Sequence, residues 1–122
     1  MNLAVNNLEE YMEIINTGKE KDRFIVTVKG RMDAVTAPEF EKRMGEWIDA
    51  GETEFVVDFG GLDYISSAGL RSILTTAKNL KLKEGQIVLC ALRDTVKEVF
   101  EISGFSTIIP VCESIDAAIK DI

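Results

Sequence analysis

Phe24, Val26 and Val28 fall on one side of an extended chain in the β-branched run Phe24-Ile25-Val26-Thr27-Val28-Lys29, which predicts a strand ended by Gly30. Tyr11-Met12-Glu13-Ile14-Ile15 predicts a strand before it. The polar stretch Asn16-Thr17-Gly18-Lys19-Glu20-Lys21-Asp22 reads as the loop of an antiparallel pair. The spacing then changes from two to between three and four: Phe40, Met44, Trp47 and Ile48 mark a helix, with Thr36 as its cap, Pro38 and Glu39 in its first turn and Gly51 as its stop. Glu54-Phe55-Val56-Val57-Asp58-Phe59 is a short apolar run that predicts a strand buried on both faces. A second helix follows from about Ser67 to Lys83, with Leu70, Ile73, Leu74, Ala77 and Leu80 as its stripe. Gln86 to Ala91 is a further strand. Asp94 or Thr95 opens a third helix with Val96, Val99 and Phe100 inward and Gly104 as C-cap. Thr107-Ile108-Ile109 predicts a short strand ended by Pro110, and Ser114 caps a last helix with Ile115, Ala118 and Ile119 inside. Strands alternating with helices after an initial hairpin define an α/β fold: a mixed, mostly parallel sheet with about four helices and right-handed crossovers.

Composition narrows this without changing it. The 122 residues suit one domain, with its core at about 8–120, and 46% apolar content is enough for a core without disulfides or a structural metal. No apolar run approaches the about 20 residues of a membrane span, and the N-terminus lacks the pattern of a secretory signal, so a cytoplasmic location is expected. A net charge of −7 opposes both nucleic acid and anionic membrane surfaces. Cys90 and Cys112 lie in apolar stretches and are expected to be reduced.

The residue inventory removes most catalytic classes. There is no histidine, hence no Ser-His-Asp triad, no Cys-His pair and none of the common zinc sets. Neither a Gly-x-x-x-x-Gly-Lys-Ser/Thr loop nor Gly-x-Gly-x-x-Gly is present. Asp33, Asp58 and Asp63 are carboxylates of the kind that do acid–base work or bind magnesium, but no activating partner accompanies them, and solvated aspartate is the common case. No catalytic residue, metal or cofactor is assigned.

What remains is the strand-to-helix turn Ser66-Ser67-Ala68-Gly69. Its plain reading is a helix cap followed by small residues. Its functional reading uses the same geometry, because a helix N-terminus with its positive end tolerates a phosphoserine of charge about −1.5 to −2. Small Ala68 and Gly69 leave room for a partner to approach the hydroxyl.

Two motifs at the right separation carry a family resemblance over nearly the whole chain. Asp58-Phe59-Gly60-Gly61-Leu62-Asp63-Tyr64-Ile65-Ser66-Ser67-Ala68-Gly69-Leu70-Arg71 resembles the central motif of anti-sigma factor antagonists, single-domain proteins of the STAS (sulphate transporter and anti-sigma antagonist) fold. Gly30-Arg31-Met32-Asp33-Ala34-Val35-Thr36-Ala37-Pro38 is similar to the family's Gly-x-x-Asp loop.

The resemblance implies partner switching in the control of bacterial transcription. The unphosphorylated antagonist binds an anti-sigma factor that is also a serine kinase and so frees a sigma factor. Phosphorylation breaks that complex and a serine phosphatase restores it. The antagonist is then a substrate and binding module, not an enzyme, and ATP and magnesium belong to the kinase. By position, Ser67 matches the phosphorylated serine, with Ser66 as the fallback, because the aspartate that many members carry before the target is here Ser66. Asp33, Ser66, Ala68, Gly69 and Arg71 are expected at the partner surface, with Asp58 structural and Leu70 in the core. Two alternatives stay open: an unswitched STAS subunit docked on a transporter or other complex, and a small-ligand-binding STAS domain.

Overall fold

The computed structural model describes residues 12–120. Its sheet has five strands in the order β1-β2-β3-β4-β5: β1 Met12–Glu20, β2 Arg23–Met32, β3 Glu54–Ile65, β4 Gln86–Cys90 and β5 Val111–Cys112. β1 is antiparallel to β2, and every later pairing is parallel. Between them run α1 Ala37–Asp49, α2 Ser67–Leu82 and α3 Asp94–Ser103, and α4 Ile115–Lys120 follows β5. The α/β class, the mixed sheet and the element order agree with the sequence reading.

Period-two alternation sorts the strand residues into two cores. Phe24, Val26 and Val28 of β2, Phe55, Val57 and Phe59 of β3, and Ile87 and Leu89 of β4 belong to the large cluster, with Phe40 and Met44 of α1, Leu70, Ile73 and Leu80 of α2, and Val96 and Phe100 of α3. Ile25, Val56, Val88 and Cys90 point the other way and meet Ala118 and Ile119 of α4. Each crossover steps one strand further in the same direction, so a constant hand collects α1, α2 and α3 on one face. α4, after the last strand, closes the other.

The element boundaries differ from expectation in four places. Asn16–Glu20 is strand, not loop, and the hairpin turn is confined to Lys21 and Asp22, both left-handed (φ 50° and 66°) as a two-residue turn requires. Cross-strand pairing of this polar stretch with Arg23–Val26 outweighs its loop-like composition. β2 and β3 continue beyond Gly30 and Phe59 to Met32 and Ile65, because each supplies the other's ladder partner. The predicted strand Thr107–Ile109 is instead the exit of a 3-10 turn at Phe105–Thr107, and Ile109 drops into the large core. Pro110 precedes the last strand and does not end it: its carbonyl accepts the Leu89 N–H at 2.9 Å, and an edge strand tolerates the missing donor. The expected start of β1 at Tyr11, and the expected core boundary at residue 8, lie outside the described residues.

Candidate functional site

β3 carries the site. From Phe55 to Asp58 it is flanked by β2 and β4, but past Asp58 its described partner is β2 alone. Two register shifts against β2, between Thr27 and Lys29 and between Gly30 and Arg31, each place one extra residue in β3. Bulges of this kind bend a strand and re-aim its side chains. The Asp58 carboxylate accepts the Gly60 N–H at 2.7 Å at the first shift, which gives Asp58 a structural task.

The bent end of β3 delivers the chain directly into α2. The Ser66 N–H donates to the Met32 carbonyl at 2.8 Å, which anchors the turn to β2. Ser66 is extended (φ −96°, ψ 175°), and its hydroxyl oxygen accepts the Gly69 N–H at 3.2 Å. Ser66 is therefore the N-cap, one of the orphaned donors of the helix start being satisfied by it. Ser67 is the first helical residue, exposed, and its hydroxyl has no hydrogen-bond partner among the described residues. Sequence alone left open which serine caps; the backbone separates the two.

Gly69 departs from the expectation of open space. It is buried, and a Cβ there would lie 2.8 Å from Ile65 Cγ1 and 2.9 Å from the Met32 carbonyl oxygen. The glycine lets α2 seat against the ends of β2 and β3 and offers no side of itself to a partner. Ala68 is half-buried and Arg71 exposed, while Leu70 is in the core as expected. Buried Ser72 and Thr76 bond back to the Gly69 and Ser72 carbonyls, so the polar interruption of the α2 stripe costs no unsatisfied group.

The second motif forms the neighbouring loop. Asp33 Oδ1 accepts the N–H groups of Val35 at 3.0 Å and Thr36 at 3.1 Å. Partial desolvation pushes the Asp33 carboxyl up, but the bonds from Thr36 and Val35, with Arg31 nearby, outweigh it and hold the group below the usual carboxylate value. Thr36 stands at the N-cap position of α1 as expected, but its side chain makes no capping bond to the helix. It is fully buried, and its hydroxyl donates to the Arg31 carbonyl at 2.8 Å and accepts the Asp33 N–H at 2.9 Å, tying the loop shut.

Sequence reasoning missed three surface residues here. Arg31 and Tyr64 are register partners across β2 and β3, and the guanidinium lies 4.2 Å from the Tyr64 ring centroid. Val35, 67% exposed, stands on the same loop as Asp33. The Arg31–Tyr64 pair depended on the second bulge, which alternation alone does not reveal.

The chain's relatives agree with this architecture. A STAS domain family model matches residues 14–118. A Bordetella bronchiseptica protein named as a candidate anti-sigma factor antagonist, BtrV, is 47% identical over 94 residues, which are 77% of this chain and 81% of that one. A crystal structure of an anti-sigma factor antagonist from Mycobacterium paratuberculosis superposes with a TM-score of 0.82 at 21% identity, covering 92% of this chain and 94% of that one. The Bacillus cell fate determinant SpoIIAA in its phosphorylated form gives 0.69 at 18% identity, covering 89% and 98%. At such identities the two solved structures speak for the fold. With the family model matched over residues 14–118 and a relative close to half identical, the chain belongs to the STAS domain family, among the anti-sigma factor antagonists.

Proposed function

We propose that this chain binds an anti-sigma factor through the surface around the β3–α2 turn, and that phosphorylation of Ser67 by a serine kinase, the anti-sigma factor itself, breaks the complex. A serine phosphatase reverses the step, and the chain acts in the cytoplasm as a substrate and binding module. The observation that carries the reading is the division of labour between adjacent serines: Ser66 is committed to Gly69, whereas Ser67 is exposed with an uncommitted hydroxyl at a positive helix end. That makes Ser67 the target and Ser66 the element that holds the target in place. Asp33, Val35, Arg31, Tyr64, Ala68 and Arg71 supply the surrounding surface, and buried Gly69 acts only by seating α2 beneath it.

A phosphate at Ser67 leaves the backbone of the turn intact, since none of the hydrogen bonds described above uses that hydroxyl. It does place up to two negative charges within a docked interface. Like-charge or desolvation penalties there run to about 3 kcal/mol, about a hundredfold in affinity. The test is phosphosite mapping after incubation with the cognate anti-sigma kinase and ATP. Ser66→Ala retains the modification and Ser67→Ala loses it, while Ser67→Asp weakens binding to the anti-sigma factor. Undiminished phosphorylation of Ser67→Ala sinks the proposal.

A further inference from the structure

Ser67 and Arg71 are four residues apart at the start of α2, and both are exposed. Residues at this spacing stand one above the other on a helix, with Cβ atoms about 5–6 Å apart. Their neighbours Gly69, Leu70, Ser72 and Ile73 are buried, which fixes the orientation of the helix and leaves Ser67 and Arg71 on its solvent side. Arg71 has no ion pair, hydrogen bond or ring contact among the described residues. Of the other arginines at this end of the sheet, Arg31 is already engaged, lying over Tyr64 with its Nε 4.0 Å from Asp33 Oδ2, and Arg93 stands beyond β4 at the start of α3. The backbone is partly committed too, because Ser66 holds the Gly69 N–H. The remaining charged groups nearby on β3 and the β2–α1 loop are the carboxylates Asp63 and Asp33, which repel a phosphate.

We propose that Arg71 is the internal partner of the phosphate on Ser67, clamping it from one helical turn away and leaving the surface offered to the anti-sigma factor as it does so. This rests on Ser67 being the modified residue. An acidic group N-terminal to a basic one at this spacing is the favoured orientation on a helix. Arginine is suited to the task because its planar fork donates two hydrogen bonds to phosphate oxygens. In the unmodified chain Arg71 is an uncommitted cation beside the target hydroxyl, open to a carboxylate of the partner. In the modified chain the same donors are used internally. Phosphorylation thereby adds negative charge and removes a positive contact in one event, and the two uses of Arg71 exclude each other.

The experiment uses the full chain with phosphoserine inserted at position 67 during translation, so that no kinase is needed, and follows the phosphorus NMR signal against pH. Free phosphoserine has a second pKa near ~6. With Arg71 in place that ionisation is expected about 0.5–1 unit lower than in Arg71→Gln, and Arg71→Lys, which keeps the charge but loses the fork, is expected in between. Identical titration of the Arg71 and Arg71→Gln proteins overturns the clamp. A kinase that modifies a different serine overturns the Ser67 reading, and it leaves the titration result untouched. Unphosphorylated Arg71→Gln is expected to melt with the parent, as an exposed substitution without contacts should.

Discussion

Replacing Gly69 by alanine sets two forces against each other at the site itself. Alanine favours a helix over glycine by about 1 kcal/mol in an interior position. Against this, the added Cβ would stand 2.8 Å from Ile65 Cγ1, 2.9 Å from the Met32 carbonyl oxygen and 3.0 Å from Met32 Cβ. None of these neighbours yields easily. Met32 and Ile65 are register partners with buried side chains, and the Met32 carbonyl accepts the Ser66 N–H at 2.8 Å. Overpacking of a well-filled site costs about 1–3 kcal/mol, so after the propensity gain Gly69→Ala is expected to be net destabilising by up to about 2 kcal/mol, a fall in Tm of up to about 10 °C for a domain of this length. Gly45 in α1 supplies the control, because a Cβ there meets nothing within 4 Å. Gly45→Ala makes the identical chemical change with only the propensity term, and it is expected to raise Tm by about 3–5 °C. Thermal unfolding followed by circular dichroism, with urea titration as a check, reads both signs. If Gly69→Ala melts at or above the parent, α2 does not seat against Met32 as described, and the account of the turn fails.

Asp33 gives a pH-dependent test. Its folded carboxyl titrates below its ordinary value of 3.8, so its contribution is present above that value and is lost as pH falls through the lower, folded one. Asp33→Asn is therefore expected to unfold at lower urea than the parent at pH 7, with the gap closing as the pH is taken progressively below 3.8; a gap that does not shrink on acidification contradicts the assignment. The thiols make a separate prediction. Burial raises the Cys90 thiol to about 12, with Asp58 and Cys112 adding to the shift, whereas Cys112 is only half-buried. In the folded chain at about pH 8, iodoacetamide is expected to label Cys112 well before Cys90, and in urea to label both at similar rates. Peptide mapping by mass spectrometry distinguishes them, and early labelling of Cys90 would show that α4 does not cover it.

The fold was legible in the sequence wherever a single element explains its own pattern. The alternation of Phe24, Val26 and Val28 and the helical spacing of Phe40, Met44 and Ile48 each describe a buried face, and each face is where the pattern puts it. The failures arise where a second element decides. Nothing local says that Asn16–Glu20 pairs with Arg23–Val26, or that Ile109 is drawn into the core while the strand waits until after Pro110. The site follows the same division. The serine pair, Asp33 and Arg71 were visible as residues, but Ser66 and Ser67 look alike until the Met32 carbonyl fixes the first as the cap. Thr36 was legible as the N-cap position of α1, but nothing local says that its buried hydroxyl turns back to the Arg31 carbonyl at the end of β2 and leaves the helix without a side-chain cap.

The bulges bear on how the proposed switch would sit on such a rigid frame. β3 is packed on both faces from Phe55 to Val57, and a modification in that region would disturb both cores. Beyond Asp58 the strand leaves β4, gains two residues relative to β2 and ends on a turn fixed by the Met32–Ser66 and Ser66–Gly69 bonds. The turn is thus held by the Met32 carbonyl and the Ser66 hydroxyl, while Tyr64, Ser67 and Arg71 are exposed along it and Val35 is exposed on the neighbouring β2–α1 loop. A phosphate on Ser67 would find its scaffold unchanged and the outward chemistry altered. The free-energy change of modification is then registered in the partner's affinity, and little of it is dissipated in refolding this chain. On this reasoning, thermal stability with and without phosphate should differ far less than partner affinity does.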